Sequence, residues 1–513
     1  MTRSHGLFGL LFAAGVTLGA CTGPYSTTSD TDASSTGADC PVGGLGCRCT
    51  TGNSCDEGLV CASKQCVKPG GDDTSTGDAT TDVDPTTSGS TTTAGSDCDP
   101  NGNGSFDLSC PDGKKYCIAG DCFPCGGIDC AALTPEQPLC NEATGLCAAC
   151  LCDDASPVCD PEAHTCSGCT AHSDCPNSAC DLWTGACFAA EDTLWVDDDG
   201  DCDDAGPGDQ AKPLCSLGVA FERVVAAPAG HQAVRVHPGT YKVLSPLRAP
   251  ADHVVALVHA TGAPGDAPVK ITATSSALAV DPAGKFMVDA LSVTQSGADA
   301  FVCTMGAARL DRLTVSAATM HALAAEGCEL VVRRGVLADN VVGGVSLNGG
   351  TLRLENTYIS KNGNPQTGEG GVYLANGAAL DAVYSTWVEN RGQAGTPFAV
   401  ACSDDAAKEK VAVRNSLAIN LGSNTLCDET TVEHTGWSTD MATGDNMAIA
   451  LADLANYLTP DDSLPGVYRV VEGAGLDALG SWEMGDPAID FDGDSRPASN
   501  NAPDYAGADR VAR

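Results

Sequence analysis

The chain has 513 residues, of which 27 are Lys or Arg and 67 are Asp or Glu, so its formal net charge is −40. Contacts to nucleic-acid phosphates need clusters of Lys and Arg, and anionic lipid headgroups repel a chain of this charge. The composition therefore argues against nucleic acid as a partner. The chain also has 29 cysteines, a density at which the thiols of an exported protein form disulfides by default.

Residues 1–20 have the pattern of a secretory signal peptide. Arg3 lies near the start, an apolar stretch covers residues 7–18, and two small residues precede the expected cleavage point. A membrane-spanning helix needs about 20 apolar residues, so this stretch is too short to span. We therefore expect it to be removed.

The sequence LGAC, which ends at Cys21, resembles the lipobox of bacterial lipoproteins. In that family the Cys after the cleavage point receives lipid on its sulfur and its amine, so the resemblance implies that Cys21 anchors an exported protein to the outer membrane or cell surface. The alternative is an ordinary secretory signal with Cys21 in a disulfide. Removing Cys21 from the 29 cysteines leaves 28, an even number that requires no free thiol, which favours the anchor.

Composition divides the rest of the chain into tethers and folded parts. Residues 21–39 and 67–97 are rich in Ser, Thr, Gly and Asp without apolar periodicity, which predicts unfolded tethers. Residues 40–66 contain six cysteines and form a module too short to build a core without disulfides.

Residues 98–190 contain sixteen further cysteines with a recurring spacing. Pairs separated by six residues appear in CNEATGLC, CDPEAHTC and CDLWTGAC. This predicts an array of small disulfide-linked repeats whose connectivity the spacing leaves open. Zinc is the alternative for paired cysteines, but the exported context and the lack of His at ligand spacing argue against it.

The segment 191–513 opens with a strand at 194–196, a helix capped by Ser216 and a second strand at 233–236. Four apolar residues fall on one face of that helix: Leu217, Ala220, Phe221 and Val224. This arrangement resembles the start of right-handed parallel β-helices of the pectin-lyase-like superfamily, in which a helix covers the open end of the first coil.

Five later segments can be stacked as coils. They start at Leu310, Leu330, Leu352, Leu380 and Lys410. The residues seven positions on are all apolar, namely Ala317, Leu337, Ile359, Trp387 and Leu417. The residues ten positions on are Met320, Asn340, Asn362, Asn390 and Asn420. Because stacked Asn amides can satisfy one another, as in many β-helices, these columns predict an all-β, right-handed parallel β-helix with an N-terminal capping helix.

The same columns classify the aromatic residues. Trp387 lies in an otherwise aliphatic column, so we expect it in the core rather than on a sugar-binding surface. Tyr358 lies in a mixed column and is predicted to make an exposed contact.

Pectin-lyase-like enzymes place carboxylates and a Lys or Arg base on one strand face, so the resemblance implies a search for such a group here. The candidate charges are scattered over the aligned coils without a recurring pair: Asp404, Asp405, Lys408, Glu369, Arg333 and Arg334. The catalytic candidates are Asp404, Asp405 and Lys408, and their interpretation as solvated loop charges is preferred. The histidines without ligand spacing, expected to be structural, are His237, His259, His321 and His434.

Two acidic triplets offer oxygen ligands for calcium at alternate positions. The first is Asp197, Asp199 and Asp201, and the second is Asp490, Asp492 and Asp494. Neither has the Glu that completes an EF-hand loop.

Cysteines in the last segment predict three disulfides. Cys402 and Cys427 precede similar strands, so they should stack in adjacent coils, and Cys303 and Cys328 have the same separation in the sequence. Cys202–Cys215 is the remaining predicted pair.

These features predict a lipid-anchored bacterial surface protein whose β-helix serves recognition of a polysaccharide or a surface protein, or a structural role. The alternative is a calcium-assisted polysaccharide lyase or glycoside hydrolase. We prefer the non-enzymatic interpretation, because the columns as aligned show no base beside a carboxylate group.

Overall fold

The computed structural model describes residues 60–62, 65–67, 103–106, 116–118, 121–123, 130, 136–137, 139–141, 146–199, 201–261, 268–393, 399–403, 408–419, 427, 429–437 and 444–511. The chain divides into two compact units, Met1–Thr91 and Thr92–Arg513. In the first unit, Val60–Ala62 and Gln65–Val67 form an antiparallel hairpin. Within the described ranges, no helix has the length and apolar character needed to span a bilayer.

The cysteine-rich part of the second unit consists of short antiparallel strands. Its first sheet contains Asn103–Phe106, Tyr116–Ile118 and Asp121–Phe123. Three hairpins follow: Leu139–Asn141 with Leu146–Ala148, Val158–Asp160 with Thr165–Ser167, and Cys180–Asp181 with Ala186–Cys187. The described residues of this part also include two short 3₁₀ helices, His172–Asp174 and Ala190–Asp192.

The two repeats that are described in full share one disulfide pattern, in which the first cysteine bonds the third and the second bonds the fourth. The bonds are Cys150–Cys159, Cys152–Cys166, Cys169–Cys180 and Cys175–Cys187. Cys159 and Cys166 lie opposite each other in their hairpin but each bonds an earlier cysteine. The hairpin of each repeat is thus linked back to the loop before it.

Residues 193–448 form a parallel β-helix with three faces. Every strand pair along these faces is parallel, and each strand pairs with the one that occupies the same face of the next coil. Two long strands, His321–Arg333 and Gly343–Glu355, continue from the first face onto the second. The predicted fold class, a parallel β-helix preceded by disulfide-rich modules, is confirmed by this strand order.

The other strands of the three faces are as follows. The first face contains Leu247–Ala249, Leu278–Val280, Phe301–Thr304, Gly370–Ala375 and Val400–Cys402. The second contains Thr193–Val196, His231–Val236, Val254–His259, Lys285–Asp289, Ala307–Asp311, Ala379–Val383, Lys410–Arg414 and Glu429–Glu433. The third contains Gly239–Val243, Val269–Ala273, Leu291–Ser296, Thr314–Ser316, Val336–Ala338, Tyr358–Ser360, Thr386–Val388, Leu417–Ile419, Gly436–Trp437 and Met447–Ala448.

The helix Leu217–Ala226 packs on strands of the first coils, as predicted. The Ser216 hydroxyl accepts a hydrogen bond from the backbone N–H of Val219 at 3.3 Å, which satisfies one of the unpaired donors at the helix start. The apolar face is buried, and the ring of Phe221 contacts that of Phe286 with centroids 5.9 Å apart. The helix therefore joins the core of the β-helix.

The sequence alignment is in register for three of its five segments and out of register for the other two. Leu330, Leu352 and Leu380 are register partners, as aligned. Leu310 pairs with Val332, a slip of two positions, and Lys410 pairs with Ala379, a slip of one. A slip of two keeps side chains on the same face, whereas a slip of one turns them to the opposite face, so Lys410 is exposed where Val411 is buried.

The predicted asparagine ladder exists over three coils of the described chain. The side-chain N–H of Asn340 donates to Oδ1 of Asn362 at 2.8 Å, and that of Asn362 donates to Oδ1 of Asn390 at 3.0 Å. Met320 does not belong to the ladder. In the coil before Asn340, the backbone N–H of Ala318 donates to Oδ1 of Asn340 instead, and Met320 is exposed. Asn420 lies outside the described residues.

Trp387 is fully buried in the core, as predicted, whereas Tyr358 contradicts its predicted exposure. Tyr358 is 1% exposed, its hydroxyl donates to the carbonyl of Tyr468 at 2.8 Å, and its ring contacts Phe491 edge-on. Burial raises the pKa of its hydroxyl. The C-terminal segment, residues 449–511, folds back over the outer side of the third face and covers its later strands, from Val336–Ala338 to Leu417–Ile419.

This C-terminal segment contains little regular structure. It has a 3₁₀ helix, Leu451–Asn456, and two short antiparallel pairs, Leu458–Pro460 with Tyr468–Val470 and Gly480–Trp482 with Ala502–Asp504. Polar contacts hold it down, including a bond from the Ser360 hydroxyl to the carbonyl of Gly466 at 2.7 Å. Its arrangement follows no apolar period that the sequence would reveal.

Disulfides join the three cysteine pairs expected in the last segment: Cys202–Cys215, Cys303–Cys328 and Cys402–Cys427.

Candidate functional site

Charged side chains form columns on the outer side of the second face. Asp289, Asp311, Arg333 and Glu355 are register partners in four successive coils and recur at a constant interval in the sequence. Arg309 and Arg353 lie two positions before members of this column and on the same face of the sheet. Of the charges named from the sequence, Arg333 belongs to this column, whereas Asp289, Asp311 and Glu355 were not named.

The turn after the second face adds two arginines. Arg312 and Arg334 have positive φ angles of 50° and 47°, a conformation that turns the chain sharply toward the third face. Arg312 donates to both carboxylate oxygens of Asp289, at 2.9 and 2.6 Å. Arg334 binds Asp311 in the same two-point manner. Each turn arginine thus neutralises the carboxylate of the preceding coil.

The last cysteine repeat is fixed against this face. The buried guanidinium of Arg235 donates to the carbonyls of Cys175 and Ser178 at 3.0 and 2.7 Å, which ties the repeat to the β-helix. Leu182 and Trp183 of the repeat pack near Met287. The carboxylate of Asp181 orients this loop by accepting from the backbone N–H of Trp183 at 2.9 Å.

A cleft of about 380 Å³ lies between the repeat and the second face. Residues 170–173 and Leu182 line one wall. Four arginines and two aspartates line the other, a local balance of +2 on a chain of −40: Arg309, Arg312, Arg333, Arg334, Asp289 and Asp311. The cleft is therefore a positively charged recess in a strongly acidic protein.

Arg309 differs from the other arginines of the cleft. Arg333 has Glu355 at 2.8 Å, but Arg309 forms no ion pair or hydrogen bond within the described part of the chain. Its guanidinium lies over the ring of Trp183, 5.1 Å from the centroid, and the ammonium of Lys285 lies 5.2 Å from the same ring. Burial, and then the charge of Arg333, lowers the pKa of Arg309. The indole holds the guanidinium in place without neutralising it.

His172 supplies a second unpaired donor. The ring is 6% exposed, and Nδ1 accepts from the backbone N–H of Cys180 at 3.2 Å, so the neutral ring carries its proton on Nε2. Nε2 is buried and has no hydrogen-bond partner among the described residues. Burial lowers the pKa of His172, with the charge of Asp289 opposing, so the ring is neutral at pH 7.

A second group of ionisable residues surrounds His321. Nδ1 of His321 lies 2.8 Å from Asp299 and Nε2 lies 3.1 Å from Glu369. Burial lowers the pKa of His321, but the two carboxylates outweigh burial and raise it to about 9. The charged imidazolium joins neighbouring coils, which agrees with the structural role expected for this histidine.

The first predicted calcium triplet is only partly assembled. Asp197 and Asp199 gather with Asp198, and their carboxylate oxygens lie within 4.8 Å of one another, whereas Asp201 is not part of this group. The Asp198 carboxylate is already used, since it packs on Gly239 and accepts from the backbone N–H of Thr240 at 3.1 Å.

The second triplet is not assembled. Asp490 is fully buried and one of its oxygens accepts backbone N–H groups of residues 492–494 at 2.8–3.1 Å. Asp492 pairs with Arg469, and Asp494 is exposed. Asp490 thus closes its own loop instead of facing a shared ion with the other two carboxylates.

Other predicted site residues give less information. Asp404, Asp405 and Cys21 lie outside the described residues. Lys408 is exposed shortly before the strand Lys410–Arg414. Glu369 contacts His321, and Arg333 and Arg334 line the cleft. The sequence analysis thus named some members of these two groups but did not place them together.

The sequence did not identify His172, Arg309 or Trp183 as site residues. His172 and Arg309 are far apart in the chain and line one cleft only because the repeat docks on the β-helix. One usable signal existed for the columns, the constant interval at which charged residues recur from Asp289 to Glu355.

Comparisons with known proteins add little to this geometry. Residues 87–194 match a family described as "Family of unknown function (DUF8331)". No curated protein matches the sequence. Among solved structures, the chain is similar to a crystal structure of pectate lyase Pel9A, with 12% identity, a TM-score of 0.36, and coverage of 62% of this chain and 95% of that one.

A rhamnogalacturonan lyase structure is also similar, with 12% identity, a TM-score of 0.25, and coverage of 55% of this chain and 97% of that one. At these TM-scores the likeness carries no argument about activity. The assignment of the β-helix rests on the strand pairing of this chain.

Proposed function

We propose that this protein is an exported, lipid-anchored recognition protein whose β-helix binds a glycan in the cleft beside the last cysteine repeat. The lipobox-like sequence at Cys21 and the two tether segments support display away from a membrane surface. The disulfides of the repeats support an oxidising, extracellular location.

The observation that carries this proposal is the cleft itself. Its volume of about 380 Å³ lies within the range of small-ligand sites. One wall is cationic, with Arg309 held by the Trp183 ring beside the cleft, while the neighbouring carboxylates are bound to arginines. Such a wall offers hydrogen-bond donors, which suit the binding of sugar oxygens better than acid–base chemistry.

Asp289 and Asp311 are poor candidates for a lyase mechanism. A lyase needs a free base and a charge-neutralising ion beside one sugar. In the cleft, arginines occupy both oxygens of Asp289 and of Asp311. A catalytic role around Asp404, Asp405 and Lys408 is the alternative that the following experiment detects.

The purified full-length protein should be applied to a glycan array and, in parallel, incubated with acidic and neutral polysaccharides plus calcium. We expect retention on a subset of glycans without new reducing or unsaturated ends. Arg309→Gln should lose retention, and Arg248→Gln, which changes an arginine that does not line the cleft, should keep it. Turnover that disappears in Asp404→Ala or Lys408→Ala would replace recognition with the enzymatic alternative.

The anchor is tested separately. Cys21→Ser should abolish metabolic labelling with a radioactive fatty acid and move the protein from the membrane fraction to the soluble one. Labelling that persists in this variant would contradict anchoring through Cys21 and leave the binding experiment unaffected.

A further inference from the structure

Two buried donors in the cleft have neither a hydrogen bond nor an ion pair among the described residues. One is Nε of Arg309, and the other is Nε2 of His172. Nε of Arg333 also lacks a hydrogen bond, but it lies 2.8 Å from Glu355. Arg309 and His172 line the same recess, one from the β-helix and one from the cysteine repeat. A buried donor without an acceptor is costly, and most buried polar groups in proteins are paired. This coincidence calls for a ligand that accepts hydrogen bonds.

We infer that the cleft is an oxyanion site, in which Arg309 and Nε2 of His172 bind a carboxylate or phosphate group carried by the ligand. This inference rests on the proposed function, since it takes the cleft as the binding site and names the chemical group bound there. The recess lies between the cysteine repeat and the β-helix. The repeat therefore forms one wall of the binding site and is not only a spacer.

The charge of the cleft favours an anion over a cation. Its lining residues sum to +2, and the carboxylates of Asp289 and Asp311 are each held by an arginine at two points. A cation would meet Arg309 without a free carboxylate to balance it. An oxyanion instead completes a charge-assisted pair with a planar guanidinium, the geometry for which arginine is best suited.

The tautomer of the neutral His172 ring also fits an oxyanion ligand. Because Cys180 donates to Nδ1, the proton must lie on Nε2, and the ring enters the site as a neutral donor. The adjacent hydroxyl-bearing residues Thr170 and Ser173 line the same wall. The repeat therefore presents polar groups to one side of an anion whose charge Arg309 balances from the other.

The direct test is NMR spectroscopy of the full-length protein with ¹⁵N-labelled histidine. Sodium phosphate and sodium glucuronate serve as oxyanion probes, and glucose serves as the neutral control, at constant ionic strength. We expect a saturable shift of the His172 Nε2 resonance with at least one oxyanion and none with glucose. This readout needs no substitution, so it does not depend on a variant that folds.

The two probes distinguish the source of the anion. A response to glucuronate alone indicates a saccharide carboxylate, a response to phosphate alone indicates a phosphorylated ligand, and equal responses indicate a general oxyanion site. If neither oxyanion shifts the resonance, the inference is wrong. Retention on the glycan array would then still support a recognition function, with neutral sugars as ligands.

Substitutions locate the site. Arg309→Gln should weaken oxyanion binding at least tenfold, and Arg309→Lys should retain part of the affinity because it keeps the charge. Arg248→Gln removes the same charge from an arginine that does not line the cleft and should leave the affinity within twofold of the wild type. Equal losses in Arg309→Gln and Arg248→Gln would show only a general charge effect and would overturn the assignment.

Discussion

The second and third faces of the β-helix meet solvent differently, although both carry polar residues on their outer sides. On the third face, the C-terminal segment covers Tyr358 completely. On the second face, a cysteine repeat docks beside the charged columns and leaves a cleft of about 380 Å³. The difference shows that the added segments, and not the repeating coils alone, decide which parts of the faces stay open to solvent.

The covering of the third face depends on buried charge. Arg496 and Asp504 form an ion pair at 2.9 Å with neither side chain exposed, and Arg496 also donates to Oδ1 of Asn356 at 2.9 Å. Its guanidinium stacks on Tyr384, 3.7 Å from the ring centroid. The second face instead keeps its ion pairs partly in solvent, where they hold charge without closing the surface.

The largest effect should come from opening the covered face. Arg496→Ala removes the fully buried partner of Asp504, which keeps only its ion pair with Arg510 at 3.2 Å, and also removes the bond to Asn356. We expect the free energy of unfolding to fall by about 3–5 kcal/mol. Urea denaturation measures this, with Arg248→Ala as the control, because its exposed pair with Asp281 is worth at most about 1 kcal/mol. Equal losses in the two variants would show that Arg496 does not hold the C-terminal segment.

The His321 cluster should make stability fall at alkaline pH. The pKa of His321 is raised to about 9 from 6.5, so its contribution is complete below pH 6.5 and is lost as the pH rises through 9. A rise of the pKa from 6.5 to about 9 corresponds to roughly 3 kcal/mol. The difference in unfolding free energy between wild type and His321→Gln should therefore shrink between about pH 6 and about pH 10. A constant difference would contradict the paired, charged imidazolium.

Disrupting the asparagine ladder beside the third face should have a similar or smaller effect. Asn362→Ala removes a buried side chain that also donates to the carbonyl of Leu337 at 2.7 Å, and we expect a loss of about 2 kcal/mol. Asn348→Ala, which changes an exposed asparagine of the first face, is the matched control. If thermal unfolding shows a larger loss of stability for Asn348→Ala than for Asn362→Ala, the ladder is not a stabilising feature.

The smallest effect on stability should come from the open face. Arg312→Gln breaks a two-point pair in which the arginine is partly exposed and Asp289 is buried, so the loss should be about 1–2 kcal/mol. It also frees the charge of Asp289 inside the cleft, and we therefore expect a clear loss of oxyanion affinity. Measuring unfolding and glucuronate binding on the same variant separates the effect on stability from the effect on affinity. Unchanged binding would mean that Asp289 does not influence the ligand.

The repeating part of the fold could be predicted from sequence, because strand stacking leaves columns. Those columns predict the burial of Trp387 and the ladder of Asn340, Asn362 and Asn390. The capping helix is predicted separately, from its apolar face. The register was predicted correctly from Leu330 through Leu352 to Leu380, but not at the two ends of the alignment, where Leu310 is two positions and Lys410 one position out. A slip by two positions keeps inward side chains inward, so the apolar pattern alone does not reveal it.

The site was beyond sequence reasoning for a different reason. Tyr358 was assigned to the surface because its strand alone would expose it, and the segment that covers it has no periodic pattern. Likewise, Arg309 and His172 belong to different modules and share no motif. Periodicity predicts contacts within the coils, whereas contacts between the coils and the added segments depend on tertiary packing.

Hydroxyl-radical footprinting of the full-length protein, with and without a glycan retained on the array, tests the contrast between the two faces most directly. Trp183 is partly exposed beside the cleft, and Tyr358 is buried under the C-terminal segment. The proposed binding site predicts that Trp183 is oxidised in the free protein and protected by the glycan, while Tyr358 is protected in both states. Oxidation of Trp183 that the bound glycan leaves unchanged would contradict recognition in the cleft.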